Sequence, residues 1–298
     1  MLYNNLSRYF REKYGSRLRK ICIDGGFTCP NRDGKCGIGG CIFCGERGAG
    51  EHIDQTLSIR QQVEKGLSHL GEKGRAIAYF QNFTNTYAPV DVLRERYDTA
   101  LIDERIVALA VGTRPDCINE EIADLLLEYS KRVDVWVELG LQSASDKTAR
   151  FINRGYPTSA FSSAAEMLAS RGIPVVAHMI IGLPEEGEAE VDQTVDLLNR
   201  SPIWGVKLHS LYVMEGTRLA DMYRSGEFAP IDEGEYIALA ARCIARLRGD
   251  IVIHRLTGDC PEGLLVAPLS SFTKNEIIDK INSCLRENGH RQGSLYNP

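Results

Sequence analysis

The chain has 298 residues, 43% of them hydrophobic and 25% charged, which is the composition of a globular protein with a full apolar core. A formal net charge of −5 excludes a protein that coats nucleic-acid phosphates with its whole surface, although a local patch could still meet RNA. No run approaches the length of a membrane span, and the opening MLYNNLSRYFREKYG lacks the apolar core of a signal peptide, which predicts a cytosolic (cytoplasmic) protein with reduced thiols and no membrane partner.

Arg8, Arg11, Lys13, Arg17, Arg19 and Lys20 crowd near the start with only Glu12 among them. They read as a solvated helix leading into a strand, or as a patch for RNA. The apolar, β-branched run Leu18–Asp24 is the first predicted strand. Strands follow at Arg75–Phe80, Ile106–Gly112, Val133–Leu139, Pro174–Ile181 and Gly205–Val213. Amphipathic helical stretches lie between them, near 56–70, 90–101, 118–130, 158–171 and 187–200. Six strand-then-helix units predict a parallel sheet built from βαβ crossovers, with an open, partial barrel preferred to a doubly wound sheet. After residue 214 the rhythm changes. Helices near 217–225 and 233–248, a short strand Ile251–Leu256 and a helix near 273–288 predict an α/β extension that caps the barrel or lengthens its sheet. The expected division is residues 1–214 for the barrel and 215–298 for the extension.

The loop after the first strand, residues 25–45, holds Cys29, Cys36, Cys41 and Cys44. In parallel α/β proteins ligands sit beyond the carboxyl ends of the strands, where this loop belongs. Gly34, Gly37, Gly39 and Gly40 let it fold tightly enough for distant thiols to meet. Three readings remain open on these residues alone, one of them being thiols that bind no metal. Four thiolates would close a structural zinc site. Three of them, Cys29, Cys41 and Cys44, would hold a [4Fe–4S] cluster with one iron left for an outside ligand, Cys36 standing by.

The segments FTCPNRDGKCGIGGCIFC, YFQNFTNTYAP, VGTRPDC, VELGLQS, INRGY, HMIIGLPEE and HRLTGD follow one another over residues 27–259. This series resembles a bacterial family of radical S-adenosylmethionine (SAM) proteins represented by YhcC and YtqA. Up to the fifth strand it is also similar to the radical SAM domain of the Elongator catalytic subunit. The resemblance implies a partial (β/α)6 radical SAM barrel with a C-terminal α/β extension, a [4Fe–4S] cluster on Cys29, Cys41 and Cys44, and SAM as cosubstrate. It implies that Asn82 and Thr84 hold the methionine ammonium where such proteins usually carry Gly-Gly-Glu. Glu138 would hydrogen-bond SAM, Gln142 its ribose hydroxyls and Arg154 its methionine carboxylate, while His178 points at the ribose or adenine edge. Arg114 and Asp116 stand at the third strand's exit, and Gly112 replaces the glutamate of the Elongator pattern there. His254 to Asp259 would close the site over the substrate, or form a capped turn.

The tail is too short for the Elongator acetyltransferase domain. YtqA-like proteins are associated with wobble-uridine modification, so the resemblance implies a tRNA substrate whose carboxymethylaminomethyl side chain at uridine C5 becomes aminomethyl. An electron donor such as flavodoxin or ferredoxin is implied as well. A radical enzyme acting on a small molecule or tetrapyrrole, and a non-catalytic zinc protein, are the alternatives.

Overall fold

Alternate residues of each strand have opposite surroundings, and this explains the architecture. The computed structural model describes residues 2–48, 50–71, 73–258, 260, 263–269 and 272–297. Its main sheet contains β1 (Arg19–Ile23), β2 (Ala76–Phe80), β3 (Ile106–Thr113), β4 (Asp134–Gln142), β5 (Val175–Ile181), β6 (Gly205–Ser210) and β8 (Val252–Arg255), side by side in that order and all parallel. One face of these strands is apolar throughout. Ile23, Phe80, Val111, Val137, Leu139 and Ala177 pack there against α2 (Ile59–Ser68), α3 (Val90–Ala100), α4 (Glu120–Ser130), α6 (Thr158–Ala169), α7 (Glu188–Arg200) and α9 (Glu233–Arg246). Parallel strands covered in this way are expected to read as continuous apolar runs.

The other face turns inward. Ile77, Tyr79, Ala108, Trp136, Val176 and Val252 gather there around Leu6 and Phe10 of α1 (Leu6–Tyr14). Residues of five strands can meet one short helix only if the sheet curls around it, so α1 plugs one end of an open barrel. Asn5 caps α1 by accepting from the Arg8 N–H, a bond that adds about 1 kcal/mol of helix stability. Most of the cations noted in this region face solvent, whereas Lys20 lies on the inner face of β1.

The extension both lengthens the sheet and caps it. β8, the short strand expected at Ile251–Leu256, is the seventh of the sheet and pairs with β6. β7 (Val213–Met214) and β9 (Leu265–Ala267) form a small antiparallel pair, α8 (Arg218–Arg224) packs beside β7, and α10 (Lys274–Glu287) lies against α9. The short helix α5 (Asp146–Phe151), capped by Ser145, was not expected from the sequence. The first residues run along β8: the Ile253 N–H donates to Asn4 O (2.7 Å), and the Gln292 side chain accepts from the Asn4 N–H (2.8 Å). Among the described residues no helix is long and apolar enough to cross a membrane.

Candidate active site

The cysteine loop follows β1 and sits over the carboxyl ends of the strands. It is fastened at several points. The Asn31 Nδ2 donates to Asn153 O (2.6 Å), Asn153 Nδ2 donates back to Gly40 O (2.8 Å), and the Ile42 N–H reaches Ile152 O (3.0 Å). Gly37 is needed because a Cβ there would stand 2.3 Å from Asn31 Oδ1. Within this frame three thiols each face one donor. Arg114 Nη1 lies 4.0 Å from Cys29 Sγ, Asn31 Nδ2 lies 4.0 Å from Cys41 Sγ, and Cys44 takes a hydrogen bond from Arg32, whose guanidinium also donates to Cys44 O at 2.8 Å. Cys36 is exposed, in contrast to these three.

Burial pushes the Cys41 thiol up to about 12, with the nearby Cys44 and Cys29 adding to it and Arg114 opposing. Burial also raises Cys44 against the pull of Arg32. The protein alone therefore keeps these thiols protonated, and metal uptake must displace the protons. Among the described residues no three His, Cys, Asp or Glu side chains close into the tight shell of a single metal ion.

Asn82 and Thr84 lie just past β2, as expected, and both are buried. Asn82 Nδ2 donates to Asp24 Oδ2 (2.7 Å), while Asn82 Oδ1 and Thr84 Oγ1 have no partner. Asn31 Oδ1 and Glu51 Oε1, on the neighbouring loop, are buried acceptors without partners too. Gln142 ends β4 with a φ of 60° and accepts from the Tyr156 hydroxyl at 3.2 Å. His178 is half-buried on β5, its Nε2 2.9 Å from Glu138.

Two expectations need correction. Arg154 is 0% exposed, and its guanidinium donates to Leu141 O, Ser143 O (2.8 Å), Tyr156 O (3.1 Å) and Thr158 Oγ1 (3.0 Å), with Asp146 at 3.5 Å. Its donors are taken up by the chain's own carbonyls, so it shapes the β4 exit and leaves nothing for a methionine carboxylate. Glu138 is likewise enclosed. It accepts from Lys207, Tyr79 (2.7 Å) and Trp136 Nε1 (3.2 Å) and meets His178, all on the inner face of the barrel. It organises the interior and does not stand open at the mouth.

The residues sequence reasoning missed are the donors to the thiols and the partners of Glu138. Tyr156, between the guanidinium groups of Arg114 (4.6 Å) and Arg154 (4.7 Å), donates to Gly140 O and joins the loop to β4. The signal for Lys207 was present: a charged residue at an inward position of an apolar strand, like Glu138 and His178. His254 lies in β8 with its ring against Trp204, Thr257 is buried, and Asp259 falls outside the described residues.

Comparison with known proteins decides the family. The model of the Radical SAM superfamily matches residues 29–198, and that of the Radical_SAM C-terminal domain matches residues 203–287. The chain belongs to the radical SAM superfamily. It is 35% identical to the uncharacterized protein YtqA of Bacillus subtilis over 99% of this chain and 92% of that protein. It is also 35% identical to protein YhcC of Escherichia coli, covering 100% and 96%. Among solved structures, the Elp3 of the archaeon Methanocaldococcus infernus has the same fold, with a TM-score of 0.70 at 19% identity, covering 92% of this chain and 64% of that one.

Members of the radical SAM superfamily use a [4Fe–4S] cluster and SAM, and the residues of this radical SAM barrel fit both. Three thiols met by N–H donors suit a cluster, whose potential responds to hydrogen bonds at sulfur. The unpaired buried acceptors Asn82 Oδ1, Thr84 Oγ1, Asn31 Oδ1 and Glu51 Oε1 suit a cationic, donor-rich ligand beside the loop. Deeper in this barrel, Lys207 and His178 hold the Glu138 carboxyl well below its usual range against the burial that opposes ionisation. Burial lowers Lys207, with Lys20 and Arg255 adding to it, against the pull of Glu138. With one anion facing several cations, the anion stays ionised and the mismatch falls on the lysine.

Proposed function

We propose that this chain is a radical SAM enzyme of tRNA wobble-uridine modification that converts a carboxymethylaminomethyl substituent to aminomethyl in the cytoplasm. Cys29, Cys41 and Cys44 would hold the cluster, residues 1–214 would form the catalytic barrel, and residues 215–298 would extend it. The observation that carries the cluster assignment is the set of three thiols, each facing one N–H donor, above the strand ends, with Cys36 exposed. The tRNA assignment is supported by the resemblance of the motif series to YtqA-like proteins.

When bound and reduced by a donor such as flavodoxin or ferredoxin, the cluster and SAM supply a 5′-deoxyadenosyl radical. The protein's part is to bind, orient and exclude water. Asn82 and Thr84 offer acceptors to the methionine ammonium, and Gln142 and His178 offer polar groups toward the ribose and adenine. Arg114, Asn31 and Arg32 orient the thiols, and Tyr156 with Arg154 holds the β4 exit against the loop.

The first test is iron, sulfide and zinc content after anaerobic reconstitution, with 5′-deoxyadenosine release under dithionite and SAM. About four irons and four sulfides per chain support the cluster assignment; one tight zinc and no reconstitutable cluster overturn it. The second is the nucleoside profile of bulk tRNA after gene deletion. Accumulation of the carboxymethylaminomethyl form supports the substrate, and an unchanged profile rejects it.

A further inference from the structure

The cysteine loop has two sides, and the site described above uses only one of them. The other side opens into a surface cavity of about 360 Å³ between the loop and the start of α8. Its walls include Cys41, Cys44, Gly39, Arg32, Glu46 and Arg218. Cys29, Asn82, Thr84, Gln142 and His178 do not line it, so it is neither the space among the three thiols nor the cofactor's side. Two of those thiols can thus be approached from outside the barrel. The wall above Cys41 is thin. Gly39 and Gly40 hold φ angles of 83° and 77°, which favour glycine, and a Cβ on Gly39 would point into open space. Ile38 beside them is 82% exposed, more than any other large apolar side chain among the described residues. The cavity holds two guanidinium groups against one carboxylate, that of Glu46. Arg32 gives donors to the carbonyls of Cys44 and Gly45, and neither Arg32 nor Arg218 is ion-paired among the described residues. At the loop's outer turn Asp33 and Lys35 offset each other. In a chain of net charge −5 this spot is locally positive.

A cluster that must be reduced needs an electron from another molecule, and electron transfer between proteins fades steeply with distance. The carrier must therefore touch the loop itself, and the inner side is left to SAM and substrate. An apolar tip beside unpaired cations suits a small, transient interface with a partner of opposite charge. We propose that the outer face of the cysteine loop docks the electron donor, a small acidic redox protein that seats on Ile38 and is drawn there by Arg32 and Arg218. This rests on the cluster reading above and names the partner of that same site. In the step itself the carrier loses one electron and the cluster gains it, and no atom changes hands. Gly39 and Gly40 put no side chain between the carrier and the backbone of Cys41.

The test compares two reductants on the anaerobically reconstituted full chain. One is an acidic flavodoxin in its fully reduced form; the other is dithionite, which needs no docking surface. The variants are I38D and R218E, alone and together, and Arg32 is left in place because it also holds Cys44. Bleaching of the cluster by flavodoxin, followed by stopped flow, should slow about tenfold or more in the double variant. Bleaching by dithionite should stay within about twofold of wild type, and R218K should behave as wild type in both. Apart from electron transfer, binding of oxidised flavodoxin, followed through its own NMR signals, should weaken in the same variants and with added salt. Equal slowing with both reductants would mean a damaged loop, and unchanged flavodoxin reduction or salt-insensitive binding would mean another docking face; each overturns the proposal. A wild-type cluster that bleaches with dithionite and not with flavodoxin also overturns it, and leaves the cluster reading standing. Failure to form any cluster removes both.

Discussion

The carboxylate of Glu138 and the ammonium of Lys207 are bonded to each other inside the barrel, at 0% and 3% side-chain exposure. Two strands apart in the sheet, they tie β4 to β6 through the interior. Such a pair adds little over an apolar replacement but is costly to break from one side, because the survivor stays charged and buried. Lys207→Met should therefore destabilise the protein by about 3–5 kcal/mol, and adding Glu138→Gln should recover most of the loss. Urea unfolding of the two variants checks this.

The same lysine gives stability a pH signature. Its amine titrates below the ordinary lysine range when folded, chiefly because of burial. Between the lowered value and the ordinary one, the unfolded chain binds a proton that the folded chain does not. Lys207 thus makes stability rise with pH across that window, and below it contributes no slope. Unfolding measured across mildly alkaline pH should show this component in the wild type and not in the Lys207→Met, Glu138→Gln double variant.

Arg154 should behave as a structural residue. Arg154→Met leaves the carbonyls of Leu141, Ser143 and Tyr156 without their donor, and a loss of about 3 kcal/mol is expected. Arg154→Lys supplies too few donors to repair it. SAM affinity of any folded, reconstituted variant should stay within about threefold of wild type, whereas removal of a direct carboxylate contact would weaken it by about tenfold or more. Equilibrium dialysis with SAM separates the two.

Cluster content should follow the donors around the thiols. Alanine at Cys29, Cys41 or Cys44 should abolish reconstitution, and alanine at Cys36 should preserve it, read from iron and sulfide per chain. Arg114→Ala and Asn31→Ala should retain the cluster with its potential shifted to more negative values, since each removes a donor facing a thiol. Spectroelectrochemistry gives the sign.

Much of the barrel was legible because each strand is a short apolar run and each helix has its own period. β5 was expected at Pro174–Ile181 and runs Val175–Ile181; β3 was expected at Ile106–Gly112 and runs Ile106–Thr113. β4 extends to Gln142, past its expected end at Leu139, where glycine and a positive φ interrupt the apolar pattern. The cysteine loop was legible from spacing. Its donors were not, because Arg32 and Asn31 read locally as ordinary loop polars, Arg114 reads only as part of a motif at the third strand's exit, and all three meet the thiols only through the fold. Arg154 misled for the same reason: INRGY looks polar, and nothing in five letters says that the guanidinium is sealed behind β4. Lys207, His178 and Glu138 share an inward parity on three strands, a pattern visible once the strands are set side by side.

Asn4 and Gln292 are joined across 288 positions of sequence, and Ile253 is bridged to Asn5 on the same seam. The open side of the barrel is therefore latched by the two extremes of the described chain together. During synthesis Asn4 and Asn5 must wait unpaired until Ile253 and Gln292 have been made, and the helix that plugs the barrel waits with them. The seam is the last place to form and the easiest to reopen, so hydrogen exchange should be fastest there among the strand amides.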